Sequence, residues 1–333
     1  RVMGDKTAIE WTRSPDGTPG ATWNPIRARH RVTGKVGWAC VRVSPGCEHC
    51  YAERLNRVRG TGQVYTVSAL VRYIDPFLDE RTLTQPLRWT RPRRIFVASM
   101  TDLFWDKVPG KWIGRVFGHM AATPQHTFLV LTKRAERLHD LLADGVIGSV
   151  KGEAEQTCWE LTKPTKWAND WKGLAWPLPN VWLGVSAEDQ RRADERIPWL
   201  LKTPAAVRWV SAEPLLGPLQ IQDWLEGFKP LAPDLAKTPA ISWLVVGGES
   251  GGPPERALVL RCNSAEPHSC RDALGGSGRT HYHLKADALS WLRSIRDQCQ
   301  AAGVAFFHKQ NGGPTPKAGG RLLDGREWDE YPA

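Results

Sequence analysis

The sequence has no long apolar run. Nowhere do about 18 to 20 uninterrupted apolar residues occur, the length a bilayer-spanning helix needs, so no membrane partner is expected. The opening stretch, RVMGDKTAIEWT, is polar and charged and lacks the apolar core of a secretory signal. Internal repeats and low-complexity tracts are also missing. These absences lead to the expectation of a soluble, cytoplasmic protein. Disulfides are not needed either: 333 residues can bury a core without them. The seven cysteines are odd in number, and in a reducing compartment clustered thiols more often bind metal than pair.

Acidic residues are scarce in the first hundred positions. That stretch holds 17 Lys and Arg against 8 Asp and Glu, while the remainder holds 28 against 27. Nearly all of the net charge of +10 therefore lies near the N-terminus, in RARHR (27–31), ERLNRVR (53–59) and RWTRPRR (88–94). Such a field attracts polyanions, nucleic acid among them. A solvated basic face is the plainer reading, and it carries less weight because a cysteine cluster shares the region. Tryptophan, with 17 copies, is abundant. Most should pack in the core, with a few left to stack on bases.

Three of the seven cysteines fall in one short loop, GWACVRVSPGCEHCYAERL (37–55), as Cys40, Cys47 and Cys50. A structural zinc site wants four protein ligands, which His49 or a distant residue would have to complete. A [4Fe–4S] cluster usually takes four cysteines. Held by three, it keeps one iron open to a small molecule.

After this loop, short apolar runs recur, each followed by a helical pattern. They are RIFVASM (94–100), HTFLVLT (126–132), NVWLGVS (180–186), AVRWVSA (206–212), ISWLVVGG (241–248) and GVAFFHKQ (303–310), with KVGWAC (35–40) a candidate first member. Continuous apolar strands suit a parallel sheet buried on both faces. Helices are expected over 111–123, 135–146, 188–201 and 286–302, the last capped by Gly303. The alternation predicts right-handed βαβ units. The expected fold is α/β: one domain over 1–333 built as a complete or partial (β/α) barrel of six or seven mainly parallel strands, with a doubly wound sheet as the alternative. Residues 150–178 and 251–283 read as long loop insertions, and 312–333 as an extension that folds back through an Asp324-Gly325 turn.

In parallel α/β architectures, chemistry sits at the C-terminal strand ends. Here those ends carry small hydroxyls followed by charge: Ser99 and Asp102; Thr132, Lys133 and Arg134; Ser186 and Glu188; Ser211 and Glu213; Gly247, Gly248 and Glu249; Lys309 and Gln310. Any one of these could be a helix cap. Six in succession predict a polar mouth, with Glu188 and Glu213 as candidate ligand-binding or proton-handling groups.

A three-thiol cluster with an open iron is the arrangement of radical S-adenosylmethionine enzymes, and it accounts for three cysteines after a first strand better than zinc does. Nearly end to end, the chain also resembles the phage-associated three-Cys-motif proteins, a group similar to those enzymes. The resemblance rests on TWNPI (22–26), CVRVSPGCEHCYAE (40–53), RRIFVASMTDLF (93–104), VLTKRAERL (130–138), GVSAEDQ (184–190), SAEPLLGP (211–218), VVGGESG (245–251), FFHKQNGG (306–313) and GRLLDGREWDEYP (320–332). It implies a partial barrel of the radical-SAM type, a [4Fe–4S] cluster on Cys40, Cys47 and Cys50, and S-adenosyl-L-methionine as cosubstrate. Likeness to spore photoproduct lyase within the wider superfamily implies a nucleic-acid substrate, DNA more than RNA. The first gap of the cysteine motif is six residues, where most radical enzymes have three. GGE (247–249) resembles the motif for the methionine amino group, but on a late strand.

The leading expectation is a radical enzyme acting on a base or sugar of nucleic acid and fed by an electron donor such as flavodoxin or ferredoxin. Glu188, Glu213 and Lys133 are its candidate catalytic residues. Ser99, Asp102, Ser186, Glu188, Ser211, Glu213, Gly247, Gly248 and Glu249 are its candidate cofactor contacts. Arg54, Arg57, Arg91, Arg93, Arg94, Lys133 and Arg134 are candidate phosphate contacts. Two alternatives stand beside it: a non-catalytic, zinc-containing nucleic-acid-binding protein, and a radical enzyme acting on a free nucleotide or small metabolite. Cys262, His268, Cys270, His281 and His283 form a weaker candidate for a second metal site. Cys158 and Cys299 read as packing residues.

Overall fold

The apolar runs read from the sequence form the strands of one parallel sheet. The computed structural model describes residues 6–14, 16–143, 150–162, 173–227, 240–262 and 281–332. Its elements begin with β1 (Ala21–Trp23), β2 (Ile26–His30), β3 (Val36–Gly37), α1 (Tyr51–Arg59), α2 (Val67–Tyr73), β4 (Ile74–Leu78) and α3 (Glu80–Leu83). Then follow β5 (Arg94–Val97), α4 (Gly110–Ala121), β6 (Thr127–Thr132), α5 (Ala135–Leu142), α6 (Val150–Thr162), β7 (Val181–Ser186) and α7 (Gln190–Lys202). The chain continues through β8 (Val207–Ala212), α8 (Gln222–Glu226), β9 (Trp243–Gly247), β10 (Val259–Cys262), β11 (His281–Leu284), α9 (Ala286–Ala302) and β12 (Ala305–Gln310).

The main sheet has seven strands in the order β1-β5-β6-β7-β8-β9-β12. Neighbours pair in parallel, for example Ile95 with Phe128 and Val245 with Phe307. Strand order follows chain order throughout, so each crossover advances in the same direction along the sheet. That is the topology of a partial (β/α) barrel. A doubly wound sheet would reverse at a switch point. Residues 35–40 do not open this sheet. Val36–Gly37 instead pairs antiparallel with β2 in a separate three-stranded sheet, β3-β2-β4. The first parallel strand is β1, whose three residues pair with Ile95–Val97 and are too short to show a periodicity.

The chain divides into two compact units, Arg1–Val185 with Trp199–Val207, and Ser186–Pro198 with Arg208–Ala333. In the first unit Trp11, Trp23, Trp105, Phe104 and Phe128 are fully buried, and Trp11 meets Phe96 edge-on at 4.8 Å. Part of the stretch read as the 150–178 loop is helix α6, which lies against α4. Its buried residues, Val150, Ala154, Thr157 and Cys158, follow helical spacing but are mostly small. A hydrophobicity pattern therefore misses them. The close approach needs glycine on α4: a Cβ at Gly118 would stand 2.5 Å from the Thr157 Cβ, and one at Gly114 would stand 2.6 Å from the Glu153 Cβ.

In the second unit Trp209, Trp243, Phe306 and Phe307 form the core, and the two tryptophan rings lie 5.3 Å apart. Helix α9 ends at Gly303 in the left-handed conformation expected of a C-cap (φ +66°). Cys299 is buried on α9. The ends of the 251–283 segment are strands, with Val259–Cys262 pairing antiparallel to His281–Leu284. His268 and Cys270 of the possible second metal site lie outside the described residues. The tail folds back as expected. Asp324 (φ +53°) and Gly325 (φ +78°) make the turn, and the His308 and Glu330 amides bond the Trp328 and Phe306 carbonyls at 2.8 and 3.2 Å.

Candidate functional site

The cysteine loop lies between the small sheet and α1. Cys50 immediately precedes the first helical residue, and the Arg54 amide bonds its carbonyl at 3.1 Å. Two side chains of α1 hold the loop. Asn56, fully buried, accepts the Trp38 amide at 2.9 Å and donates to Thr61 Oγ1 at 2.8 Å. Glu53, also buried, takes both Arg42 nitrogens (2.9 and 2.5 Å) and the Tyr65 amide (3.1 Å). Cys40, Cys50 and Leu55 pack on an apolar seat of Trp38, Ala52, Tyr65 and Met100.

The end of β5 closes the seat from the sheet side. Ala98 has a left-handed backbone (φ +53°), which is uncommon outside glycine. It turns the chain sharply after Val97. Asn24, just past β1, then accepts the Met100 amide at 2.9 Å and donates to Ser99 Oγ at 3.1 Å. Tyr51 donates its hydroxyl to the Ser99 carbonyl at 2.6 Å, and Tyr65 donates to the Met100 carbonyl at 2.9 Å. Ser99 thus anchors α1 to the sheet.

Asp102 and Arg134, from the ends of β5 and β6, form a buried ion pair at 3.0 Å. Asp102 also accepts from the Phe104 amide (2.9 Å), the Thr132 hydroxyl (2.7 Å) and the Lys133 amide (3.0 Å). Arg134 reaches onward to the Val41 carbonyl at 3.0 Å and to Cys40 Sγ at 3.9 Å. Its guanidinium therefore sits between a carboxylate and a thiol and is engaged inside the unit, away from the phosphate role expected of it. Lys133 is half-buried and lies within electrostatic reach of Cys50.

Burial pushes the Cys40 thiol up to about 11, against the opposing pull of Arg134. Burial raises Cys50 too, with amides of α1 and Lys133 opposing. Cys50 adds to the rise at Cys40, and Cys47 to the rise at Cys50, so Cys50 lies within electrostatic reach of both other thiols. Tyr65 is raised by burial and then by Cys50 and Cys40. Among the described residues no group of three or more His, Cys, Asp and Glu side chains is gathered where one ion could be held. His49 is exposed. A single zinc needs all its sulfurs within about 2.3 Å of one atom. A cubane cluster takes each thiolate at a separate iron. Cys40 and Cys50 are partly buried on the apolar seat beside Arg134 and Lys133, and Cys47 lies in the same loop, so the donor set is three soft sulfurs of the kind such a cluster takes. Ligands of that kind are thiolates, and the neighbouring cations favour that form.

In the second unit the strand-end carboxylates are already paired. Glu188 is fully buried against Arg196 at 2.9 Å, and Arg196 also donates to the Ser186 carbonyl at 2.8 Å. Glu249 is buried and held by both Arg256 nitrogens at 2.8 and 3.0 Å. Glu213 is more open. It bonds Lys309 at 2.9 Å and accepts from the Ser211 hydroxyl at 3.2 Å. Gly247 makes room for it, since a Cβ there would stand 2.7 Å from Glu213 Oε1. Gly248 meets the Asn311 carbonyl in the same way, at 2.3 Å. The strand-end carboxylates of this unit are therefore ion-paired, and Glu188 and Glu249 brace their own unit.

The basic residues do not form one field around the cysteines. Arg54 and Arg57 are exposed on α1, beside the loop. Arg91, Arg93 and Arg94 precede or open β5, roughly 10 Å along the strand from the Ser99 end. Arg94 is buried and donates to the Arg13 carbonyl at 2.7 Å, and Arg93 lies 5.0 Å over the Trp89 ring. Residue-by-residue reading missed Asn24, Trp38, Arg42, Asn56 and Tyr65 as supports. Only their nearness to TWNPI and to the cysteines could have marked them.

No helix of the described residues is long and apolar enough to cross a membrane. No curated protein matches this chain. Among solved structures it is similar to spore photoproduct lyase complexed with dinucleoside spore photoproduct, at 11% identity and a TM-score of 0.39, covering 89% of this chain and 76% of that one. A cysteine-to-serine mutant of spore photoproduct lyase gives 10% identity, a TM-score of 0.39 and coverage of 91% and 76%. A double mutant of the same protein with bound AdoMet and dinucleoside spore photoproduct gives 11%, 0.39, 89% and 76%. A family model covers nearly the whole chain, residues 6–262 and 273–332, interrupted only within the segment between β10 and β11. The chain belongs to that family, described as protein of unknown function (DUF5131).

Proposed function

We propose that this protein is a radical S-adenosylmethionine enzyme acting on nucleic acid, DNA in preference to RNA. Cys40, Cys47 and Cys50 would hold a [4Fe–4S] cluster and leave one iron for the cosubstrate. The observation that carries this reading is the charge and burial pattern of the cysteine loop: Cys40 and Cys50 on an apolar seat, Arg134 3.9 Å from Cys40, and Lys133 near Cys50. When bound, the cluster supplies one electron, delivered by a donor such as flavodoxin or ferredoxin, that splits S-adenosylmethionine into methionine and a 5′-deoxyadenosyl radical.

The chain's own groups have narrower roles. Arg134 and Lys133 compensate thiolate charge, and Asp102 fixes Arg134. Trp38, Tyr65 and Met100 keep water from the buried face of the loop. Exposed Arg54 and Arg57, on the helix that follows Cys50, are the phosphate contacts we retain. In the second unit Glu213, with Lys309 and Ser211, is the carboxylate we assign to ligand binding.

The test is anaerobic. Reconstituted protein is reduced with dithionite in the presence of S-adenosylmethionine, and 5′-deoxyadenosine is followed by liquid chromatography. The wild type should form it and Cys50→Ala should not. Equal amounts from both would refute the assignment.

A further inference from the structure

β1 is the edge strand of the parallel sheet. Beside it lies a cavity of about 680 Å3 whose walls come from the first unit alone. Asn24 and Met100 stand on the sheet side, Trp38 and Tyr51 border the cysteine loop, and Arg27 and Arg81 come from β2 and α3. The volume falls within the range of sites for small organic ligands, about 300–1,000 Å3. Trp38 and Met100 also belong to the seat of Cys40 and Cys50, so cavity and cysteine loop share a wall.

Two features of that wall specify a ligand. Trp38 is 4% exposed, and its indole N–H is buried with no hydrogen-bond partner. At that exposure Trp38 closes the cavity wall and offers no free ring face to a ligand. The Arg27 guanidinium covers the Trp38 ring at 4.8 Å from the centroid, giving the wall a flat, cationic character. Tyr51 adds a half-exposed ring, immobilised by its hydroxyl bond to Ser99. An accessible aromatic ring beside a guanidinium is what unstacked nucleobases bind. At the rim, Arg81 is exposed, and among the described residues its side chain has no ion pair. It is placed to meet an anion. Asp79, 3.7 Å from Arg27, balances only one of the two arginines.

We propose that this cavity receives one nucleotide of the substrate, the base against the Tyr51 ring beside the Arg27 guanidinium and a phosphate at Arg81. The assignment deepens the nucleic-acid reading given above and rests on it for the identity of the polymer. The adenosyl group of S-adenosylmethionine is the competing occupant. It brings no phosphate to meet Arg81, and the sulfonium attached to it would add positive charge to a site already carrying two arginines.

The experiment is photo-cross-linking of full-length, anaerobically prepared protein to a single-stranded oligodeoxynucleotide bearing one 4-thiothymidine, with peptide mapping by mass spectrometry. Iron is measured on the same preparation. Cross-links are expected at Tyr51, and their yield should fall several-fold in Tyr51→Ala. Arg81→Ala should lower the slope of log affinity against log salt by about one. Competition by excess thymidine monophosphate would show that a single nucleotide suffices. Competition by the oligonucleotide alone would show that flanking phosphates are needed. Either result keeps the assignment. Cross-links confined to other surfaces, or complete displacement by S-adenosylmethionine, would overturn it. Iron without a cavity cross-link removes this proposal and leaves the cluster standing. A cavity cross-link without iron does the reverse.

Discussion

Replacing Arg134 with Met removes a charge while keeping most of the side chain's length. Arg134 and Asp102 are 12% and 9% exposed at their side chains and lie 3.0 Å apart. Breaking such a buried pair from one side costs about 3–5 kcal/mol when the stranded charge loses its environment. Here Asp102 keeps three further donors: Phe104 N, Thr132 Oγ1 and Lys133 N. The loss is then nearer that of one charged hydrogen bond, about 1.5–3 kcal/mol. At about 2–4 °C per kcal/mol for a unit of this size, Tm should fall by about 3–12 °C. Calorimetry on Arg134→Met, Asp102→Asn and the double variant gives the coupling directly. We expect about 1.5–3 kcal/mol, together with reduced iron in Arg134→Met because Cys40 loses its neighbouring cation. Additive single effects, within about 0.5 kcal/mol, and full iron would refute both the ion pair and its electrostatic role.

Other expectations are simpler. Gly118→Val should cost about 1–3 kcal/mol by overpacking the α4–α6 contact, read as a lower urea midpoint; an unchanged midpoint would mean that the helices do not meet as described. His308 is fully buried, bonds Asn311 at 2.8 Å, and is held neutral by burial, down to about 4 from 6.5. Its depressed value means a contribution present above pH 6.5 and lost as pH falls towards 4, about 3 kcal/mol at most; His308→Gln should flatten that limb of the stability–pH curve. Cys40 in the metal-free protein has the opposite sign. Its raised value gives stability below pH 9 that is lost as pH rises through about 11, so iodoacetamide should modify Cys40 only as that pH is approached.

Much of the fold was legible because it is written in continuous apolar runs. RIFV, TFLVLT and AFFHKQ became β5, β6 and β12 with little shift in their bounds. The elements that escaped are those whose packing uses small or few residues. β1 is three residues long, and α6 meets α4 through Ala, Thr and Cys opposite two glycines. At the site, cysteine spacing identified the loop. Strand-end carboxylates looked like open ligands because sequence shows a charge but not its partner. Arg196 lies eight residues beyond Glu188, and Lys309 lies 96 beyond Glu213, so neither pair has a local signature. Basic residues misled for a related reason. Arg94 is close to Ser99 in sequence, but a strand separates them in space, and its guanidinium is buried.

The central claim is that Cys40, Cys47 and Cys50 act together on one iron–sulfur cluster. Iron and acid-labile sulfide, measured on anaerobically purified and reconstituted protein, test it most directly. The account predicts about four of each per chain in the wild type and loss of both in Cys40→Ala, Cys47→Ala and Cys50→Ala alike. A colourless protein holding one zinc, or Cys47→Ala with full iron, would contradict it.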